Sequence, residues 1–141
     1  MRLIAHRGNS KGRNTTLENH PDYIEEALRR GFDCEVDVWA QGKMWLGHDL
    51  PEWECRMSFL FEHSDKLWIH CKNLEALEIL SSFKRLNVFW HQKDDFTLTS
   101  KGFIWTYPNK EVCKNSVIVH KEPFKKEMFN CYGICSDVLE K

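Results

Sequence analysis

Long apolar runs are missing from this 141-residue chain. No stretch approaches the roughly 20 residues that cross a bilayer, so stable membrane insertion is not expected. An excess of one charge is missing too: 20 Lys and Arg face 21 Asp and Glu, a formal net charge of −1. Without a polybasic field nothing draws the chain to a nucleic-acid backbone or an anionic surface. Any phosphate recognition must therefore come from a few placed cations. The six cysteines, at 34, 55, 71, 113, 131 and 135, form no Cys-x-x-Cys pair, which argues against a zinc ribbon. Cysteines 34, 71, 131 and 135 fall in expected strands, where a thiol acts as a small hydrophobe. Reduced thiols fit a cytoplasmic location, although the even count leaves disulfides open. Met1 stands directly before the first expected strand, so no signal peptide is expected. Glycine is thin at seven residues. Gly8 and Gly12 flank Asn9-Ser10-Lys11, a poor match to the Gly-rich loop of a doubly wound nucleotide-binding sheet.

Short apolar strands alternate with helical or irregular segments, and no linker, repeat or low-complexity stretch divides them. The pattern argues for a single α/β domain over 1–141 with a parallel sheet. Strands are expected at 2–6, 33–39, 67–71, 86–91, 103–107, 116–120 and 132–136. A helix is expected over 21–30, with Pro21 at its first position, an apolar stripe of Ile24, Ala27 and Leu28, and Gly31 as left-handed stop. A second helix over 73–82 has Asn73 as N-cap and buries Leu74, Leu77, Ile79 and Leu80. The connections at 109–115 and 123–129 hold one or two turns at most. Seven strands with shortened helices point to a reduced TIM-like (β/α) barrel, small beside the ~250 residues usual for that fold. Residues 97–99 are a candidate eighth strand.

Chemistry-bearing residues crowd the first half of the chain. The run Leu3-Ile4-Ala5-His6-Arg7-Gly8 delivers two cationic side chains at a strand tip. Glu35 and Asp37 are two apart, so both leave one face of a strand. Gly47-His48-Asp49 follows, and Leu67-Trp68-Ile69-His70-Cys71-Lys72 puts His70 and Lys72 on a shared face. Glu35, Asp37 and His70 form a sound ligand set for a divalent cation. Arg7 and Lys72 supply positive charge where a phosphodiester would sit. Convergence is the requirement: the His6 imidazole must lie within about 12 Å of the carboxyl pair to act through a bound reactant.

The ordered series His6-Arg7-Gly8, Glu35-Val36-Asp37 and His48-Asp49 resembles the glycerophosphodiester phosphodiesterase family, within the wider phospholipase-C-like phosphodiesterases. Phe103-Ile104-Trp105-Thr106 and Gly133-Ile134-Cys135-Ser136-Asp137 resemble that family's late Trp-Thr and Gly-Ile-x-Thr-Asp segments. The resemblance implies a hydrolase of lipid metabolism acting on a small phosphodiester. His6 and His48 would be the acid/base pair, Arg7 and Lys72 the phosphate ligands, and Glu35 and Asp37 would hold magnesium, calcium or manganese. Two departures stand out. Where the family has Glu-x-Lys this chain has His70-Cys71-Lys72, which moves preference from calcium toward magnesium, manganese or zinc. Where the family has Pro-Glu-Asn-Thr this chain has Gly12-Arg13-Asn14-Thr15, which makes the substrate side more anion-seeking.

Asn14, Trp39, His91 and Trp105 are the further pocket candidates. Aromatic core packing is the plain reading for the tryptophans, and simple ion pairs with Arg7 and Lys72 the plain reading for the two acids. The short frame leaves little material to enclose a glycerol group, which opens the alternative of a larger, partly exposed substrate such as a sugar phosphodiester or a polymer end. The rival functions are a non-catalytic phosphate-binding module and a zinc hydrolase built on His70, His91 and an acid. No oligomeric state follows from the sequence.

Overall fold

A computed structural model describes residues 1–140. Its elements are β1 (Arg2–His6), α1 (Pro21–Arg29), β2 (Asp33–Gln41), β3 (Lys43–Leu46), β4 (Trp53–Cys55), α2 (Met57–Glu62), β5 (Leu67–Cys71), α3 (Leu74–Ser81), β6 (Val88–Phe89), β7 (Phe96–Leu98), β8 (Ile104–Thr106), β9 (Ser116–Val119), a 3-10 turn (Lys126–Met128) and β10 (Gly133–Ser136). All ten strands join one mixed sheet. Strands β6, β5, β2, β1, β10, β9 and β8 run parallel in that spatial order. β7 closes one edge antiparallel to β8, and β3 and β4 extend β2 as antiparallel ribbons.

The expected reduced (β/α) barrel is therefore corrected. The sheet is mixed, and only three short helices accompany it, all before residue 82. The later crossovers explain why: residues 107–115 and 120–132 contain Pro108 and Pro123 and no apolar stripe able to seat a helix. The β3–β4 ribbon and α2 were not expected. Gln41-Gly42-Lys43 turns β2 back on itself, with Gly42 at φ 68° and Trp39 opposite Trp45. Residues 97–99 do contribute a strand, Phe96–Leu98, but as an antiparallel edge.

Strand alternation sorts the side chains into two layers. Cys34, Val36 and Val38 of β2 pack with Ala27, Leu28, Leu60, Ala76 and Leu80 beneath the helices. On the opposite face Ile4, Trp68, Phe89, Trp105, Val117 and Cys135 form a second, aromatic core. Trp68 lies 6.0 Å from Trp105, and Phe89 stacks at 4.6 Å on the same ring. These contacts join strands that are not neighbours in the sheet. The sheet curls so that its concave face encloses them. Ser100 meets the outer edge of β6, donating its N–H to the Val88 carbonyl at 2.8 Å.

The caps of α1 and α3 stand where the sequence puts them. Pro21 starts α1, and Gly31, at φ 93°, stops it. Asn73 caps α3 by accepting from Ala76 N at 3.1 Å. Leu74 is a correction: it is 76% exposed, whereas Leu80 is buried as expected, Leu77 and Ile79 are half-buried against the core, and Ala76 is buried with them. Cys131 also lies outside a strand, half-buried before β10. Among the described residues no helix is long and apolar enough to cross a membrane.

Asn73 also ties α3 to the sheet, accepting from Ala40 N at 3.1 Å and donating to Ala40 O at 2.8 Å. Asn73→Ala removes a cap worth about 1 kcal/mol and two hydrogen bonds of about 1 kcal/mol each. Urea unfolding should read a loss of about 2–3 kcal/mol, in proportion to those three bonds.

Candidate functional site

The site forms where parallel strands end. β1 ends on His6, and Arg7 (φ 56°) and Gly8 (φ 85°) turn the chain sharply. A left-handed arginine costs roughly 1–2 kcal/mol. The turn is held by Arg7 N–H donating to Glu35 O at 3.0 Å and by Asn19 N–H donating to Arg7 O at 2.9 Å. A side chain at Gly8 is disfavoured, because its φ of 85° strains any L residue and a Cβ would sit 3.0 Å from the Tyr23 ring. The His48 loop is fixed over β2 by Gly47 N–H donating to Asp37 O at 3.1 Å. A Cβ on Gly47 would fall 1.9 Å from the Leu50 carbonyl oxygen, so only glycine allows this path.

Register brings the acids and His70 together. Asp37 pairs with His70 across β2 and β5, and Glu35 pairs with His6 across β2 and β1. His70 Nδ1 lies 3.2 Å from Asp37 Oδ1 and 3.9 Å from Glu35 Oε1. One ligand atom from each of Glu35, Asp37 and His70 falls within 4.8 Å of the others. Glu35 Oε2 and Asp37 Oδ1 are buried without a hydrogen-bond partner. Two buried carboxylates with free lone pairs are costly unless a cation takes them up. The donor set and its orphaned oxygens fit a divalent ion.

Both candidate acid/base histidines touch this cluster. His6 Nε2 is 3.8 Å from Glu35 Oε2, well inside the required span. Its other nitrogen, Nδ1, lies 3.0 Å from Asp137 Oδ1, which also accepts from Asn9 Nδ2 at 2.9 Å. His48 Nδ1 lies 3.6 Å from Asp37 Oδ2, and its Nε2 accepts from the Arg7 guanidinium at 3.3 Å. Arg7 spans the floor, with Nε 3.2 Å from Asp37 Oδ2 and Nη1 3.4 Å from Glu18 Oε1. Asn19 clamps Asp37: its amide donates to Oδ2 at 2.9 Å and its carbonyl accepts from Asp37 N at 3.0 Å. The plain ion-pair reading thus holds for Asp37 Oδ2, while Oδ1 stays free.

Above the cluster opens a cavity of about 460 Å³ lined by His6, Arg7, Glu35, His48, His70 and Lys72 on one side. His91, Gln92, Trp105, Tyr107, Pro108, Val119 and Lys121 form its other wall. Of the four pocket candidates, His91 and Trp105 reach this cavity; Asn14 and Trp39 do not. The Asn14 side chain accepts from Thr16 N and Leu17 N, both at 3.0 Å, and closes a turn. Trp39 donates its indole N–H to Gly47 O at 2.7 Å and braces the His48 loop. The His91 ring donates to Asp94 O at 2.6 Å, outside the ligand cluster, which removes the basis for a His70–His91 zinc pair. Arg13, the departure noted in the sequence, pairs with Glu18 at 3.5 Å.

Asp137, Glu18, Asn9 and Asn19 were not singled out as site residues. Glu18 and Asn19 lie in an irregular segment with no periodicity, so no facing could be assigned from sequence. Asp137 belongs to a noticed C-terminal run, but only the β1–β10 pairing sets it beside His6.

The local field separates the two acids. Burial, then the charge of Asp37, pushes Glu35 well above the usual carboxylate range. Burial would raise Asp37 as well, but the imidazoles of His48 and His70 and the Arg7 guanidinium outweigh it and hold Asp37 well below. Burial lowers Arg7, and the surrounding carboxylates Glu35, Asp37 and Glu18 more than restore it. Comparisons with protein-family models, with curated proteins and with solved structures give no match to the chain.

Asp137 provides a pH test. Its burial is outweighed by contacts with His6, Asn9 and Arg7, so its folded pKa is depressed. Its stabilising contribution is full above the unfolded value near 3.9 and is lost as pH falls through the lower folded value. Asp137→Asn should cost about 1.5–3 kcal/mol at neutral pH, the range for a hydrogen bond to a charged group. The variant's stability should also fall less steeply below pH ~4 than that of the parent, as read by urea unfolding across pH.

Proposed function

We propose that this chain is a metal-dependent phosphoric diester hydrolase, with a glycerophosphodiester-like or sugar phosphodiester substrate and a cytoplasmic setting. The motif order supports this reading, and one geometric observation carries it. Two histidines from separate segments approach the same buried carboxylate pair, His6 at 3.8 Å from Glu35 and His48 at 3.6 Å from Asp37. A simple anion-binding module needs Arg7 and Lys72 but has no use for an opposed imidazole pair.

Glu35, Asp37 and His70 would hold the ion, which when bound polarises the phosphoryl group and eases deprotonation of the attacking oxygen. Arg7 and Lys72 bind the phosphodiester anion at the cavity floor and hold charge against the transition state. One histidine takes a proton from the attacking water as the new P–O bond forms. The other gives its proton to the departing alkoxide as the old P–O bond breaks. Asp137 acts through His6: by binding Nδ1 it leaves Nε2 as the nitrogen that exchanges protons on the cavity side. His48 Nε2 is held by Arg7 in the free protein. A phosphate that engages the guanidinium releases that nitrogen, so substrate binding and proton transfer are coupled. Trp105, Tyr107 and Lys121 on the far wall are placed to meet the alcohol groups.

The test is turnover of a chromogenic phosphodiester by metal-loaded protein, with the monoester as control. His6→Ala and His48→Ala should each lower kcat/KM by about 10²–10⁴-fold. The parent should give a bell-shaped pH profile, since the two imidazoles act in opposite protonation states. Phosphate affinity without diester turnover under any divalent ion would instead mark an anion-binding module. Turnover that survives both histidine substitutions would remove the assigned roles.

A further inference from the structure

The ring of His70 is held in one orientation by two contacts. Its Nε2–H donates to the backbone carbonyl of His91 at 2.9 Å, because a carbonyl can only accept. Its face stacks on Phe89, with centroids 5.1 Å apart and planes 9° from parallel. Flipping the ring would give up that hydrogen bond. Nδ1 is thereby turned to the carboxylates, 3.2 Å from Asp37 Oδ1 and 3.9 Å from Glu35 Oε1.

Asp37 Oδ1, 3.2 Å from this nitrogen, is buried without a hydrogen-bond partner, as is Glu35 Oε2. One ligand atom from each of Glu35, Asp37 and His70 lies within 4.8 Å of the others, close enough to share one ion. The arrangement at Nε2 is also the usual support of a metal-bound histidine, where a backbone acceptor on one ring nitrogen fixes the other as ligand.

From this geometry we infer that the centre is a mixed nitrogen–oxygen site, with His70 Nδ1 as third ligand, built for a first-row transition ion such as manganese(II), iron(II), cobalt(II) or zinc rather than for calcium or magnesium. The inference rests on the reading of Glu35, Asp37 and His70 as a cation site. Calcium takes six to eight oxygens, and magnesium prefers an octahedron of oxygen donors. Among the described residues the cluster offers two carboxylates and one imidazole, a set suited to borderline ions. The exchange of acid for imidazole also matters for the substrate. Two carboxylates neutralise a divalent ion, so the loaded centre carries no net negative charge to repel a phosphodiester.

The experiment uses metal-stripped, full-length protein and the ions alone. Titration calorimetry should read tighter binding of manganese(II) than of magnesium or calcium. Pulsed electron paramagnetic resonance of the manganese(II) complex should show coupling to a histidine nitrogen. His70→Glu should abolish that coupling and lower the manganese-to-magnesium affinity ratio by about 10- to 100-fold. Magnesium or calcium binding as tight as manganese(II), a manganese(II) spectrum without nitrogen coupling, or no uptake of any of these ions would overturn the inference. If His70→Glu does not fold, the parent spectrum decides. Diester turnover assayed in parallel separates the two readings. A nitrogen-ligated ion without turnover sinks the hydrolase and leaves the centre. Turnover with magnesium and no nitrogen ligand does the reverse.

Discussion

Glu35 and Asp37 project from one face of β2 into the concave side of the sheet, each with almost no solvent contact. Like charges that close cannot both persist in a buried setting without positive partners, and much of the surrounding structure supplies them. Arg7 accepts a left-handed backbone to reach Asp37, Asn19 clamps the same carboxylate, and His48 and His70 approach from two further segments. Each partner comes from a different strand end or loop. The acid pair therefore organises the chain around it.

The sheet makes this convergence possible by curling. Trp68, Phe89 and Trp105 form an apolar core on the same side of the sheet as the polar cluster, and Trp105 also lines the cavity. Apolar surroundings strengthen the electrostatic interactions of buried groups. The helices α1, α2 and α3 cover the opposite face of the sheet, with α1 on β2 and α3 on β2, β5 and β6. The architecture is thus asymmetric. One half is layered with helices, and the other relies on edge strand β7 and irregular crossovers.

Much of the site was legible in local pattern. His6, Glu35, Asp37, His70 and Lys72 could be placed on strand faces because the period of two is unambiguous once a strand is recognised. Trp39 and Asn14 misled because proximity along the chain to a motif does not say whether a side chain points into a cavity or braces a turn. Trp39 braces Gly47, and Asn14 closes its own loop. Asp137 was visible only as part of a run, since its value lies in a contact spanning 131 positions. The barrel expectation failed for a related reason: the seven parallel strands were readable, but the antiparallel sense of β7 and the existence of β3 and β4 depend on pairing partners.

The amino-acid order alone determined the strands β1, β5 and β10, the start and stop of α1, and the identity of the charged groups at the strand tips. Those follow from alternation, capping and turn chemistry, which act over a few residues. Tertiary structure decided which tips meet, which carboxylate oxygen stays free, and which nitrogen of His70 faces the acids. Such features depend on register between strands far apart in sequence and on the curl of the whole sheet, and no local window of residues carries that information.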